Sequence, residues 1–441
     1  MMLLQSIRGH GKTLLRAPRL RYFSTQSEEE YLRRNYANNL SEYNTVVGSV
    51  AAQRRYFLLR DVYDDMLLDG VQPTRDTFHS LIAGTMKGSR LQDAFFFKDQ
   101  MKSMGLVPDV ALYNFLISTC GKSRNSEHAI QILEEMKRSE VKPTGQTYIC
   151  LLNACAVTGR IDRVHAIVRD MTAAGLGLNK FCYAGLIAAH KNKTPITDDT
   201  AAKILELVEQ SKGWSSAETV GATSENFMLG VALEELYNMP TAEYVHRRGG
   251  FIDKRLTVYH AAFNALADLC NVEAMESLLK KLENDGRSPD AFITMQIMRC
   301  YLHSRNLDRG YQVFEDYMNA GKIGGIELFQ TLIEGAMLDY TSKGMQLAYD
   351  TLVNMTSRNY SLNPKMGSDL LFIAANEKTG GYITANYLWD LLEAQRITPA
   401  LPAVEAYYEG LKGREIPEDD PRLLKVIEVL GNLRSRLGRR P

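Results

Sequence analysis

The stretch from residue 110 to residue 144, VALYNFLISTCGKSRNSEHAIQILEEMKRSEVKPT, predicts one complete helical hairpin of 35 residues. Apolar residues recur at three- to four-residue spacing in both halves, which is typical of two amphipathic helices. They are Leu112, Phe115, Leu116 and Thr119 in the first half, and Ala129, Ile132, Leu133 and Met136 in the second. We expect Gly121 to end the first helix and Ser126 to cap the second, which Pro143 then prevents from continuing.

A hairpin of this size cannot bury its apolar stripe alone, so similar units should stack against it. Such units recur in one frame along the chain. The predicted repeats are 40–74, 75–109, 110–144, 145–179, a degenerate 180–212, 256–290, 291–325, 326–365 and 366–400. The predicted domains are a presequence at 1–26, an N-terminal array at 27–212, an insertion at 213–255, a C-terminal array at 256–400, and capping helices with a basic tail at 401–441. The unit 326–365 is longer than the others, and we expect its extra residues in the turn around 339–343.

In their residue pattern these units resemble the pentatricopeptide repeat family, in its P class. The residues that match in the unit 110–144 are Val110, Tyr113, Asn114, Leu116, Ile117, Ala129, Met136 and Pro143. The resemblance covers residues 40–400. It implies an all-α fold, a right-handed α-solenoid or superhelix of about nine to ten helical hairpins.

The first 26 residues have the composition of a mitochondrial or chloroplast transit peptide. They contain five basic residues and no acidic residue. The run Arg21-Tyr22-Phe23-Ser24-Thr25 resembles plant mitochondrial cleavage sites, which favours the mitochondrial matrix over the plastid. The alternative is a disordered basic arm that binds nucleic acid.

The charge balance argues against binding through phosphate contacts alone. The whole chain has 52 basic and 52 acidic residues, so removal of the presequence leaves an acidic protein. Such a balance is unusual for a protein that depends on the phosphate backbone of RNA. No run approaches the ~20 apolar residues of a membrane span, so we expect no membrane partner.

The sequence contains no recognisable catalytic or metal-binding motif. Cys120 and Cys155 occupy the same place in successive repeats, and we expect them to pack in the core rather than bind a metal or form a disulfide. The runs 9–13 and 121–123 lack the first glycine of a phosphate-binding loop. We therefore expect a non-catalytic protein with no cofactor, no metal and no small-molecule substrate.

The insertion at 213–255 breaks the repeat period. Its apolar residues Phe227, Val231, Leu233 and Leu236 predict one helix that stops before Pro240. The basic residues Arg247, Arg248, Lys254 and Arg255 follow in a turn region. A contact for RNA or protein and a solvated loop both remain open interpretations.

The C-terminal end differs from the repeats. Acidic residues at 418–420 precede Pro421 and suit the positive end of a last helix. No acidic residue follows Glu428, and the tail contains Arg434, Arg436, Arg439 and Arg440. We expect these arginines to contact RNA, with a solvated chain end as the alternative.

The resemblance also implies which residues would read RNA. Proteins of this family bind single-stranded RNA at one base per repeat. The fifth and last residues contact the edge of the base and the second residue clamps its face. The corresponding pairs here are Asn44 with Thr74, His79 with Asp109, Asn114 with Thr144, Ile149 with Asn179, His260 with Asp290, Met295 with Gly325, Gln330 with Lys365, and Leu370 with Ala400.

None of these eight pairs matches the combinations that carry base preference in the family. The second positions also depart from the usual valine, and they are Ser41, Asp76, Ala111, Gln146, Phe181, Thr257, Phe292, Glu327 and Gly367. The candidate RNA-binding positions among the pairs are Asn44, Thr74, His79, Asp109, Asn114, Thr144, His260 and Asp290. We therefore expect an intact solenoid in which most base-reading positions lack the side chains that select a base.

These observations predict a non-catalytic protein of the mitochondrial matrix that binds RNA within a ribonucleoprotein. The chain resembles pentatricopeptide proteins of the plant mitochondrial ribosome, so a structural role in its small subunit is the leading hypothesis. The expected partners are RNA, either ribosomal or a mitochondrial transcript, and ribosomal proteins. The alternatives are a transcript-specific processing, stability or translation factor, and a scaffold for proteins only.

Overall fold

A computed structural model describes residues 36–213, 231–244, 252–322, 324–378, 380 and 382–436. The chain divides into two compact units, Met1–Pro108 and Asp109–Pro441, which are described separately. Every regular element in the described ranges is helical.

The described part of the first unit, residues 36–108, contains two helical hairpins. Its helices are α1 (Leu40–Ala52), α2 (Leu59–Leu68), α3 (Arg75–Lys87) and α4 (Leu91–Ser103), with a 3-10 turn at Tyr56–Leu58. Aromatic side chains fill the space between the helices. The rings of Tyr63 and Phe97 meet edge to face with 5.3 Å between centroids, and Phe78 lies 6.0 Å from Tyr63. This apolar contact is what binds one hairpin to the next.

The second unit continues the same pattern over many more helices. They are α5 (Val110–Lys122), α6 (Ser126–Arg138), α7 (Gly145–Val157), α8 (Ile161–Ala173), α9 (Lys180–Asn192), α10 (Thr200–Ser211), α11 (Leu233–Leu236), α12 (Thr257–Asp268), α13 (Val272–Asn284), α14 (Ala291–His303), α15 (Leu307–Asn319), α16 (Ile326–Met337), α17 (Ser342–Ser357), α18 (Pro364–Ala375), α19 (Ile383–Ala394), α20 (Leu401–Lys412) and α21 (Pro421–Arg436). A 3-10 turn at Lys254–Leu256 precedes α12.

Within the second unit, the first helix of each hairpin packs beside the first helix of the next. This row, which we call the first-helix layer, consists of α5, α7, α9, α12, α14, α16, α18 and α20. Each second helix packs on its own first helix. Helix α9 packs directly on α12, so the described residues between α10 and α12 do not interrupt this row. The predicted all-α solenoid of helical hairpins is confirmed.

Two details of the predicted hairpin at 110–144 are wrong. Helix α5 does not end at Gly121 but continues to Lys122, because the left-handed turn residue is Arg124 with φ of 53°. Ser126 does not cap α6. Its cap is Asn125, whose side-chain oxygen accepts a hydrogen bond from the backbone N–H of His128 at 3.3 Å. Asparagine is as good an N-cap as serine, so the shift keeps the helix start satisfied.

The structure differs from two further expectations on element bounds. The extra length of the unit at 326–365 lies mainly in α17, which has 16 residues rather than the usual 13, so α18 begins at Pro364 and Asn363 caps it. In the insertion, the described helix has only four residues, Leu233–Leu236. Val231 is described but not helical, and Phe227 lies outside the described residues.

Candidate RNA interface

In several repeats the side chain of the last residue caps the following helix. Asp109 caps α5 by accepting a hydrogen bond from the backbone N–H of Leu112 at 3.0 Å. Asp290 caps α14 in the same way through Ile293, also at 3.0 Å. An N-cap side chain satisfies a backbone donor that has no partner inside the helix. In these two repeats, one carboxylate oxygen of the last residue is therefore used to cap the following helix.

The fifth residue of each repeat lies one turn into the first helix. In the second unit it is buried in most repeats, whereas Met295 and Gln330 are half-buried. Asn114 is 1% exposed, Ile149 2% and His260 2%. In the first unit, Asn44 is half-buried and His79 is buried. Burial of this kind removes the polar edge of a side chain from solvent, where a base would have to reach it.

His260 and Asp290 are brought together by the fold. The Nε2 atom of His260 lies 2.7 Å from Oδ2 of Asp290, and the same oxygen accepts a hydrogen bond from the backbone N–H of Asp253 at 3.1 Å. Burial acts to raise the pKa of Asp290, but the hydrogen bond and charge of His260 outweigh it, and the pKa falls below its usual range. The two predicted base-reading groups bind each other.

Asn44 and Thr74 of the first unit are linked through a third residue. The hydroxyl of Thr77 donates to the side-chain oxygen of Asn44 at 2.8 Å. The Thr74 and Thr77 hydroxyls lie 3.2 Å apart, within the capping box of α3. This pair too is occupied by internal hydrogen bonds.

The remaining predicted pairs are not joined in this way. Asn114 is buried with no hydrogen-bond partner for its Oδ1 atom among the described residues, whereas Thr144 is exposed and forms the capping box of α7. His79 belongs to the first unit and Asp109 to the second. Since α18 begins at Pro364, the fifth position there is Ser368 rather than Leu370. The Ser368 hydroxyl accepts a hydrogen bond from the backbone N–H of Ala400 at 2.9 Å.

The described part of the insertion, Val231–Tyr244, which we call the inserted segment, lies on the first-helix layer. The side-chain amide of Asn238 donates to the carbonyl oxygen of Ser118 on α5 at 3.1 Å, and the Ser118 hydroxyl donates back at 3.3 Å. The thiol of Cys150 on α7 points at the carbonyl oxygen of Leu236, with 4.0 Å between sulfur and oxygen. Leu236 is fully buried. For this part of the insertion, the solvated-loop interpretation is wrong.

Two tyrosines of the inserted segment lie against second positions of the repeats. The ring of Tyr237 is 4.8 Å from that of Phe181, and the ring of Tyr244 is 5.5 Å from that of Phe292. The sequence interpretation missed both tyrosines and Asn238. The signal that could have revealed them is the density of apolar and aromatic residues in the segment, which is too high for a solvated loop.

The described basic residues of the insertion are neutralised by nearby acids. Arg255 is paired with Asp253 at 2.7 Å, and the hydrogen bonds from Arg255 lower the pKa of Asp253 to about 2. The Nζ atom of Lys254 lies 3.6 Å from the carboxylate of Glu234, which is 5% exposed. Arg247 and Arg248 lie outside the described residues.

The predicted basic tail is in part a helix. Arg434 and Arg436 belong to the last turn of α21, and Arg439 and Arg440 lie outside the described residues. The guanidinium of Arg434 lies 3.2 Å from the carboxylate of Glu405 on α20, so its charge is balanced by a residue distant in sequence. Arg436 is exposed.

Cysteine burial agrees with the expected core packing. Cys120 and Cys155 are both fully buried, and burial raises the pKa of the Cys155 thiol to about 11. Within the described residues, no three or more His, Cys, Asp or Glu side chains are grouped so as to hold a metal ion. In the same part of the chain, no helix combines the length and apolarity needed to cross a membrane.

Three parts of the sequence match models of known families. Residues 29–87 match a pentatricopeptide repeat domain, residues 108–157 the PPR repeat family, and residues 146–176 the PPR repeat. The crystal structure of the pentatricopeptide repeat protein PPR10 in complex with an 18-nt psaJ RNA element aligns over 92% of this chain, with 16% identity and a TM-score of 0.39. This chain spans 57% of that structure.

Two relatives from Arabidopsis thaliana carry the comparison further. The pentatricopeptide repeat-containing protein At3g53170 is 33% identical over 110 residues, 25% of this chain and 24% of that protein. The mitochondrial pentatricopeptide repeat-containing protein At4g35850 is 60% identical over 439 residues, which cover 100% of this chain and 99% of that protein. With similarity of this extent, and with helical hairpins stacked in the same frame, the chain belongs to the pentatricopeptide repeat family.

Proposed function

We propose that this protein is a non-catalytic RNA-binding component of a mitochondrial ribonucleoprotein, and that the particle is the small subunit of the mitochondrial ribosome. Membership of the pentatricopeptide repeat family supports RNA as the class of ligand. The mitochondrial name of the relative At4g35850 and the basic, acid-free residues 1–26 support the compartment.

One observation favours a structural role over that of a transcript-specific factor. Two of the predicted base-reading pairs are held by hydrogen bonds inside the protein: His260 contacts Asp290 at 2.7 Å, and Thr77 links Asn44 to Thr74. At these two pairs a base could reach the polar groups only if the internal hydrogen bonds were broken, which costs free energy. RNA held by this protein is therefore recognised through its shape and backbone. That mode suits a subunit with a fixed place on a folded RNA better than a factor that selects one transcript.

Gradient sedimentation of the native protein tests this proposal. A mitochondrial lysate is separated under conditions that keep ribosomal subunits intact, and the protein is followed with an antibody. We expect it to co-sediment with the small subunit and to leave that position after ribonuclease treatment. Sedimentation with small messenger-containing particles would favour the transcript-specific factor. A ribonuclease-resistant complex would favour the protein-only scaffold, and a small free species would contradict membership of any particle.

A further inference from the structure

The inserted segment makes contacts at, or one helical turn from, repeat positions that would face RNA. Asn238 contacts Ser118, which lies one helical turn beyond the fifth position of its repeat, Asn114. Tyr237 lies on Phe181, the second position of another repeat. These contacts fall on α5 and α9, two members of the first-helix layer, so the segment runs across several repeats rather than docking on one.

Tyr244 lies against the residues at two reading positions of a single repeat. Its ring lies 5.5 Å from that of Phe292, the second position. Its hydroxyl lies 3.8 Å from the sulfur of Met295, the fifth position of the same repeat. The ring of Tyr244 meets that of Phe292 edge to face, and it fills space beside the second and fifth residues that a nucleobase would need.

The fit between the segment and the layer depends on a close approach. A Cβ atom on Gly121 would lie 2.7 Å from the side-chain nitrogen of Asn238 and 3.1 Å from the Cα atom of Ala154, so glycine leaves the space that the asparagine uses. Asn238 itself has φ of 55°, a left-handed conformation that asparagine tolerates better than most residues. The segment is packed by shape as well as by apolar burial.

We infer that the first-helix layer of the central repeats is a binding site for the protein's own inserted segment, which takes the place of single-stranded RNA there and competes with it. The inference rests on the proposed RNA-binding function, and it identifies the part of the protein where that binding is blocked. Its consequence is that removal of the segment uncovers an aromatic surface on which bases can stack.

Binding of an unstructured RNA of about 20 nucleotides to the purified full chain tests this inference. In one variant, residues 231–244 are replaced by a Gly/Ser run of equal length. A milder variant, Tyr244→Ser, uncovers one repeat only, and Tyr311→Ser, a tyrosine that is 39% exposed on the second helix α15, is the matched control. Helix content measured by circular dichroism identifies any variant that fails to fold, and Tyr244→Ser then decides alone.

We expect the replacement variant to bind the RNA about tenfold tighter than the unaltered chain, and Tyr244→Ser about threefold tighter, because stacking sites become available. A synthetic peptide of residues 231–244 should return the replacement variant to the original affinity, and Tyr311→Ser should change nothing. Equal, measurable affinity in all chains would overturn this inference and leave RNA binding intact. No binding by any chain would contradict the proposed function, and this inference with it.

Discussion

The Nε2 atom of His260 lies 2.7 Å from the Oδ2 atom of Asp290, and this contact joins the fifth and last positions of one repeat. Both groups are largely buried: the side chain of His260 is 2% exposed and that of Asp290 12%. In a repeat that reads RNA, these positions present hydrogen-bonding groups to a base. Here they satisfy each other, so the same architecture stabilises the protein where it would otherwise read sequence.

Replacing His260 with alanine should lower the free energy of unfolding by about 1–3 kcal/mol, because the buried Asp290 carboxylate loses a hydrogen-bond partner. Chemical denaturation at neutral pH measures this as a shift of the midpoint between the variant and the unaltered chain. His128→Ala, at an exposed position on α6, is the control and should stay within about 0.5 kcal/mol. An unchanged midpoint for His260→Ala would mean that the pair does not stabilise the fold.

The same pair predicts a pH dependence with a defined sign. The folded pKa of Asp290 lies below its usual range, so its stabilisation is fully present above the unfolded pKa of about 3.9 and is lost as pH falls through the folded value. Asp290→Asn keeps the N-cap oxygen but cannot carry the charge. The stability difference between this variant and the unaltered chain should therefore shrink on acidification below about pH 4. A difference that stays constant with pH would contradict the lowered pKa.

Gly121→Ala should destabilise the chain by about 1–3 kcal/mol, because the added methyl group collides with Asn238 and with Ala154. Gly177→Ala is a matched control, since a Cβ there meets no atom within 4 Å and the backbone is not left-handed. The double variant Gly121→Ala with Asn238→Gly should recover part of the loss. If it recovers none, the clash is with α7 alone and the inserted segment does not depend on Gly121.

The helical hairpins could be predicted from the sequence, but the residues that cover their surface could not. The periodicity within 110–144 and its recurrence in one frame depend on the spacing of nearby residues. That spacing can be read directly from the sequence. The contact between Asn238 and Ser118 joins residues 120 positions apart, and no local pattern announces it. The ion pair between Arg434 and Glu405 also joins residues that are distant in sequence. No acidic residue lies near Arg434 along the tail, but the fold brings Glu405 to it.

Glu405→Gln should increase the salt dependence of RNA binding, because it releases Arg434 from its ion pair. Each phosphate neutralised adds roughly 0.7–0.9 to the slope of log K against log salt, so one freed arginine sets the upper limit of the change. Arg434→Gln in the unaltered background should leave the slope nearly unchanged. The opposite result, a flatter slope for Arg434→Gln and no effect of Glu405→Gln, would mean that Arg434 already contacts RNA.

A reporter fused to residues 1–30 should enter mitochondria and be cleaved close to Ser24, because the acid-free basic stretch and the run Arg21-Tyr22-Phe23 are both present. The measurement is fluorescence localisation with N-terminal sequencing of the processed reporter. Replacing the five basic residues of the presequence is the control and should leave the reporter in the cytosol. A cytosolic location of the unaltered fusion would contradict the mitochondrial assignment.

The comparison of RNAs of equal length and different sequence tests the central claim most directly, since it asks whether any repeat reads a base. Good base contacts discriminate by about 1–3 kcal/mol each, and none of the eight residue pairs has a combination that carries base preference in the family. We therefore predict that single-stranded RNAs of unrelated sequence bind the purified chain within about tenfold of one another. A preference of roughly a thousandfold for one sequence, equivalent to two or more well-read bases, would contradict the account.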